Sequence, residues 1–199
     1  MSEFVLMSTG GNRTAGQSDE MLIGQIAAGD KTAMRTLFAR HQVKVYRFVL
    51  RIVRDAALAE DVVSETFFDA WRHAGRYEGR STVSTWLIGI ARHRALDAAR
   101  RRPTEPLDCE AAQNAVDPAR DPEAELGHKD ADAMLRGALA ALSREHAEII
   151  DLVYYQEKSI REIVAILGIP ENTVKTRMFY ARKRLAALVA PQRIERAAA

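Results

Sequence analysis

The chain has 199 residues, enough for one or two domains, and 47% of them are hydrophobic, enough to bury a core. Its 29 Lys/Arg nearly balance 27 Asp/Glu, and the single cysteine, Cys109, excludes a disulfide framework and a cysteine-based metal cluster. No apolar run has the length of a membrane span, and residues 1–17 lack a basic start followed by an apolar stretch, so a cytoplasmic chain is expected.

Ala, Leu, Arg and Glu are frequent, β-branched alternation is scarce and only six prolines occur, which predicts an all-α protein. Charge is uneven along it. Residues 31–102 carry fifteen Lys/Arg against seven Asp/Glu, residues 103–132 two against nine, and residues 143–196 ten against seven. Two basic blocks thus flank an acidic one, and basic blocks suggest contact with a polyanion.

Residues 1–18 are rich in Gly, Ser, Thr and Asn and are expected to be disordered. From 19 to 102 the chain reads as a first helical domain. Two helices are predicted over Asp19–Gly29 and Lys31–Arg54, with Leu37, Phe38, Val45, Phe48, Val49 and Ile52 supplying apolar faces. A third covers Ala56–Ala74, where Val63, Phe67, Ala70 and Trp71 share a face and Glu60, Asp61, Glu65 and Asp69 line the other side. That acidic side is either a solvated face or a docking surface for a basic partner.

Arg76–Ser84 is a turn-rich loop leading into a fourth helix, with Ser84 or Thr85 as the expected cap. Leu87, Ile90, Ala91, Arg94 and Leu96 mix core and surface positions along it, and it ends in Arg100, Arg101 and Arg102. Cations at a helix C-terminus suit the macrodipole, so these arginines have a structural explanation as well as a ligand-binding one. Trp86 is read first as a core anchor. Residues 103–130 hold Pro103, Pro106, Pro118 and Pro122 with almost no periodic apolar residues and read as a flexible acidic linker.

A second small helical domain is expected over 131–190, followed by a disordered tail over 191–199. Within it, Ile160, Ile163, Val164 and Leu167 make one apolar stripe, and Ser159 with Glu162 forms a capping box. Gly168 supplies a left-handed residue to end that helix, and Pro170 presets the backbone of the next. In the next helix Val174, Met178, Ala181 and Leu185 recur on one face, leaving Lys175, Thr176, Phe179, Arg182 and Lys183 elsewhere. An apolar helix, a short Gly-containing turn and a basic helix make a helix-turn-helix that can present its second helix to a DNA major groove.

The segments Ala59–Trp71, Ser84–Arg92 and Asn172–Arg182 occur in that order, separated by a Pro- and acid-rich stretch. Together they resemble bacterial RNA polymerase sigma factors of the extracytoplasmic function (ECF) subfamily, over residues 20–188. The resemblance implies a region 2 that recognises and melts the promoter −10 element and a region 4 that reads the −35 element. It implies core RNA polymerase and promoter DNA as partners and an anti-sigma factor as regulator, with no cofactor, no metal, no small-molecule substrate and no membrane insertion. By the same resemblance Asp61, Glu65 and Phe68 would contact core polymerase. Tyr77, Arg80, Ser81, Trp86, Arg92, His93, Arg100 and Arg101 would serve −10 recognition and melting. Thr173, Lys175, Thr176, Arg177, Phe179, Arg182 and Lys183 would serve −35 recognition.

The chain departs from the family pattern at four places. Ser64 stands where Gln is common, His93 where Asn is, Pro170 where a Ser cap is, and Tyr180 where a basic residue is. Other functions fit less well. An autonomous helix-turn-helix regulator would carry a sensor in place of the Trp-Leu helix that ends in arginines. A sigma mimic that binds only an anti-sigma factor would have lost the basic residues Lys175, Arg177, Arg182, Lys183 and Arg184. No nucleophile–base pair, phosphate loop or metal cluster points to an enzyme.

Overall fold

The structure is a computed structural model and describes residues 16–101, 135 and 137–197. The expected linker over 103–130 and most of the expected N-terminal extension lie outside the described residues. The chain divides into two units, one on each side of the Pro103–Thr104 bond. All described regular structure is helical.

The first unit holds α1 (Asp19–Ala27), α2 (Lys31–Val53), α3 (Ala56–His73), a 3₁₀ turn (Ala74–Arg76) and α4 (Val83–Arg101). Each of the first three starts on a side-chain cap. Ser18 Oγ accepts from Met21 N, Asp30 Oδ1 from Thr32 N and Ala33 N, and Asp55 Oδ1 from Leu58 N. These satisfy N–H groups that have no partner within the helix. Leu22, Ile26, Leu37, Val45, Phe48, Val49, Val62, Phe67, Leu87 and Ile88 form the core where α1, α2, α3 and α4 pack on one another. Phe38, expected inside, sits at the rim and meets Phe67 edge-on at 4.8 Å, and Ile52 is only half-buried.

α4 begins at Val83, earlier than its expected cap. Thr82 does the capping: its Oγ1 accepts from Thr85 N at 3.3 Å, and the two threonine hydroxyls lie 2.8 Å apart. Val83 is already helical, so Ser84 and Thr85 lie inside the first turn and not at its cap.

The second unit holds a helical stretch over 137–140, α5 (Arg144–Ile150), a π segment (Asp151–Tyr155), α6 (Ile160–Leu167) and α7 (Glu171–Ala197). Its core gathers Leu142, Ile149, Ile150, Leu152, Ile163, Ile166, Val174 and Ala181. α5 and α6 both pack on α7. The tail expected over 191–199 is instead helical as far as Ala197. Its Ala, Arg, Gln and Glu residues are good helix formers, and one proline removes a single backbone bond.

Candidate functional site: nucleic-acid and partner surfaces

On α3, Asp61, Glu65 and Phe68 fall on one exposed face at spacings of four and three. Phe68 is 60% exposed, although its ring would be favourable to bury, and the Arg72 guanidinium lies 5.7 Å from its centroid. Glu65 reaches Arg94 Nη1 on α4 at 3.6 Å.

Asp69 corrects the expected acidic side. It is buried, and its Oδ2 accepts from Arg94 Nε at 2.6 Å and pairs with Arg94 Nη2 at 2.5 Å. Arg94 thus clamps α3 to α4, and the outer acidic face shrinks to Glu60, Asp61 and Glu65.

The loop between the 3₁₀ turn and α4 is held by Tyr77. Its hydroxyl donates to the Ser81 carbonyl at 2.5 Å, and its ring meets the Trp86 ring with centroids 5.3 Å apart. Gly79 takes a left-handed φ of +68 inside this loop, a conformation that favours glycine. Burial, followed by the negative charges of Glu20 and Asp19, pushes the Tyr77 phenol above its ordinary pKa. Trp86 is half-buried against Tyr77, so it is neither a sealed core anchor nor a free platform. Arg80 stands out in solvent, paired with Glu78 at 2.5 Å.

Along α4, Trp86, His93 and Arg100 recur every seven residues and share a face. Asp97 lies between the last two, 3.3 Å from His93 Nδ1 and 3.8 Å from Arg100 Nη1. Arg92 is half-buried to one side, and Arg101 is exposed more than a quarter turn away from Arg100. The structure therefore brings together Tyr77, Ser81 and Trp86, and aligns Trp86 with His93 and Arg100. Arg80, Arg92 and Arg101 lie apart from those groupings.

In the second unit both halves of the capping box form. Glu162 N donates to Ser159 Oγ at 3.3 Å, and Ser159 N donates to Glu162 Oε2 at 2.9 Å. Gly168 ends α6 at φ +66, and the carbonyl of Pro170 accepts from Val174 N at the start of α7. Val174 and Ala181 are fully buried, which turns Lys175, Thr176, Phe179, Arg182 and Lys183 outward. Phe179 is 63% exposed at the middle of that face, and its ring meets Tyr180 edge-on at 5.4 Å.

Two of the seven residues expected to read DNA are held in ion pairs. Lys175 Nζ bonds Glu171 Oε1 at 2.7 Å, and this bond holds the Glu171 carboxyl below the usual carboxylate range. Arg177 turns toward α5, where it pairs with Glu145 at 3.2 Å. Thr173 is half-buried. The exposed face is therefore narrower than expected, with Lys175, Thr176, Phe179 and Lys183 on it and Arg182 at its flank.

What sequence reasoning missed is the pairing of Asp69 with Arg94, and Tyr154. Tyr154, in the π segment, is 55% exposed with the Arg182 guanidinium 5.6 Å from its ring centroid. Among the described residues, no group of three or more His, Cys, Asp or Glu could hold a metal ion, and no helix is long and apolar enough to cross a membrane.

The same two units emerge from comparison with known proteins. Residues 37–104 match Sigma-70 region 2, and residues 132–185 match Sigma-70 region 4. The ECF RNA polymerase sigma factor SigL of Mycobacterium tuberculosis is 34% identical over 160 residues, spanning 80% of this chain and 90% of SigL. The RNA polymerase sigma-H factor of Pseudomonas aeruginosa is 27% identical over 184 residues, spanning 88% of this chain and 95% of the relative. The chain belongs to the ECF RNA polymerase sigma factors. Its fold is also that of CnrH, solved in complex with the cytosolic domain of CnrY, at TM-score 0.65 and 24% identity over 88% of this chain and 99% of CnrH. The sigma factor RpoE of Bartonella quintana, solved with the anti-sigma factor NepR, matches at TM-score 0.59 and 24% identity over 78% of this chain and 98% of that one.

Proposed function

We propose that this chain is a promoter-specificity subunit of bacterial RNA polymerase, with no catalytic step of its own, working in the cytoplasm. The observation that carries the reading is the α6–turn–α7 motif, closed by the Ser159–Glu162 box and Gly168, with Lys175, Thr176, Phe179 and Lys183 on the open face of α7. That face suits the −35 element in the major groove, with Lys175 and Thr176 at base edges and Arg182 and Lys183 at phosphates. The first unit, over 19–102, serves the −10 element. Its Tyr77–Trp86 ring pair and the Ser81 loop offer a stacking surface for an unpaired base, and Arg92, His93, Arg100 and Arg101 supply positive charge for the displaced strand. Arg80 adds a solvent-exposed cation beside that loop.

Core polymerase docks on the outer face of α3 through Asp61, Glu65 and Phe68. An exposed phenylalanine beside two carboxylates fits a partner surface that is itself apolar with a basic side. An anti-sigma factor that covers these surfaces is the proposed regulator.

The test is run-off transcription with purified core polymerase on a library of promoters. The expected outcome is specific initiation from a subset of templates only when both proteins are present, with weak duplex binding by the chain alone. Tight sequence-specific footprinting by the free protein would favour an autonomous regulator instead.

A further inference from the structure

We infer that Tyr154 is a positioning residue for DNA recognition, holding the Arg182 guanidinium at the flank of the α7 face so that it meets a backbone phosphate. The inference rests on the promoter-binding role proposed above.

The π segment makes Tyr154 available. Leu152 and Asp151 are buried and anchor it, Gln156 N donates to the Asp151 carbonyl at 3.0 Å, and Lys158 N donates to the Leu152 carbonyl at 2.9 Å. These wide bonds replace the ordinary helical spacing, and the chain leaves the segment through Glu157 at a left-handed φ of +53. Single π turns are rare and are found often at functional sites. Here Tyr154 and Tyr155 both face outward, and Tyr154 lies beside α7 at Arg182.

Arg182 needs such a partner. It stands on α7 one residue after the buried Ala181, beside the reading face and not at its centre, and its side chain is long and exposed. Without a neighbour its many rotamers would all have to be frozen on binding. A guanidinium over a tyrosine face is attracted to the ring while its N–H edge stays free for phosphate oxygens. Tyr154 thus pre-orders the arginine without neutralising it, which a carboxylate partner would do.

The test uses the full chain reconstituted with core polymerase on the promoter that run-off selection identifies, and measures the dissociation constant of the promoter complex. Four variants are compared with wild type: Tyr154→Phe, Tyr154→Leu, Arg182→Ala and the Tyr154→Leu/Arg182→Ala double. Tyr154→Phe keeps the ring and is expected to bind like wild type. Tyr154→Leu is expected to bind about two- to fivefold more weakly, the worth of an exposed cation–π contact. In the Arg182→Ala background the leucine is expected to cost nothing further. A merely structural role would lower the melting temperature and persist in that background.

Equal weakening by Tyr154→Phe and Tyr154→Leu would mean the hydroxyl touches DNA directly and would overturn the inference. So would no weakening in Tyr154→Leu, or the same weakening with and without Arg182. If wild-type protein with core polymerase selects no promoter, the proposed function itself fails and takes this inference with it. A promoter-specific wild type with a flat cycle removes the inference alone.

Discussion

Arg94 shows how one side chain can tie together the two faces a domain must keep in order. Its Nε and Nη2 hold the buried Asp69 carboxylate, and its Nη1 reaches the exposed Glu65. Asp69 reads with the acidic side of α3 because of its charge, yet it stands seven residues after the buried Val62 and shares its inner side. The partner that makes this tolerable lies 25 residues away on another helix, and no local pattern points to it. Arg94→Ala is expected to destabilise the first unit by about 1.5–3 kcal/mol, the range for a hydrogen bond to a charged group. The larger cost of breaking a fully buried pair does not apply, because the arginine side chain is 39% exposed. Chemical denaturation of the full chain, followed by Trp71 and Trp86 fluorescence, reads the shift. An unchanged midpoint would show that the clamp contributes nothing to stability.

Tyr77 belongs to the same scale. Its raised pKa means that folding favours the neutral phenol. The associated stability is fully present below the ordinary phenol range and is lost as pH rises through the higher folded value. Tyr77→Phe removes the bond to the Ser81 carbonyl, at a cost of about 1 kcal/mol near neutrality. The variant should also show a flatter decline in stability at alkaline pH than wild type. A variant whose stability falls with pH as steeply as wild type would contradict this assignment.

Among elements, the helix-turn-helix was the most legible, because each of its boundaries uses a residue with a narrow local role. Ser159 and Glu162 cap, Gly168 takes the left-handed φ, and Val174 and Ala181 are buried as their spacing requires. The start of α4 was less legible, since Ser81, Thr82, Ser84 and Thr85 can each cap and only the bond from Thr85 N to Thr82 Oγ1 marks Thr82. The π segment left no readable signal, because its residues Asp151–Tyr155 have the same apolar spacing as an ordinary helix end. The Arg177–Glu145 pair was equally hidden, whereas Glu171 and Lys175 stand four residues apart on one helix, a spacing the sequence shows. They matter for what each cation can do. Lys175 pairs with an exposed carboxylate and can exchange it for a base edge, whereas Arg177 is directed toward α5. Lys175→Ala is therefore expected to cost about 1–3 kcal/mol at the preferred −35 sequence and to relax the preference. Arg182→Ala should weaken all promoters alike and reduce the salt dependence by roughly one phosphate contact. Competition between −35 variants in holoenzyme binding tells them apart. If Arg182→Ala changed which sequence is preferred and Lys175→Ala did not, the roles would be reversed.

At the scale of the whole molecule, the chain is two folded units whose polyanion-facing charge sits in separate blocks. Residues 103–132 carry nine Asp/Glu, and the first unit ends at Pro103. A partner that engages both units therefore binds the second as an intramolecular event, at an effective concentration set by the length of that joining segment. The anti-sigma factor is expected to exploit this by contacting the 59–102 surface and region 4 together, excluding core polymerase from Phe68 and DNA from α7. Affinity would then reside in the linkage more than in either contact surface. The prediction is that residues 19–102 and residues 130–199, made separately, each bind the inhibitor at least about a hundredfold more weakly than the full chain. A pull-down of soluble and membrane partners identifies the inhibitor, and calorimetry with the three proteins measures the ratio. A mixture of the two separate units should not recover the affinity of the full chain, because it restores both surfaces and not their connection. If one unit alone matches the full chain, or if no inhibitor is captured, the bridging mechanism is wrong, and control must act on the synthesis or covalent modification of the chain.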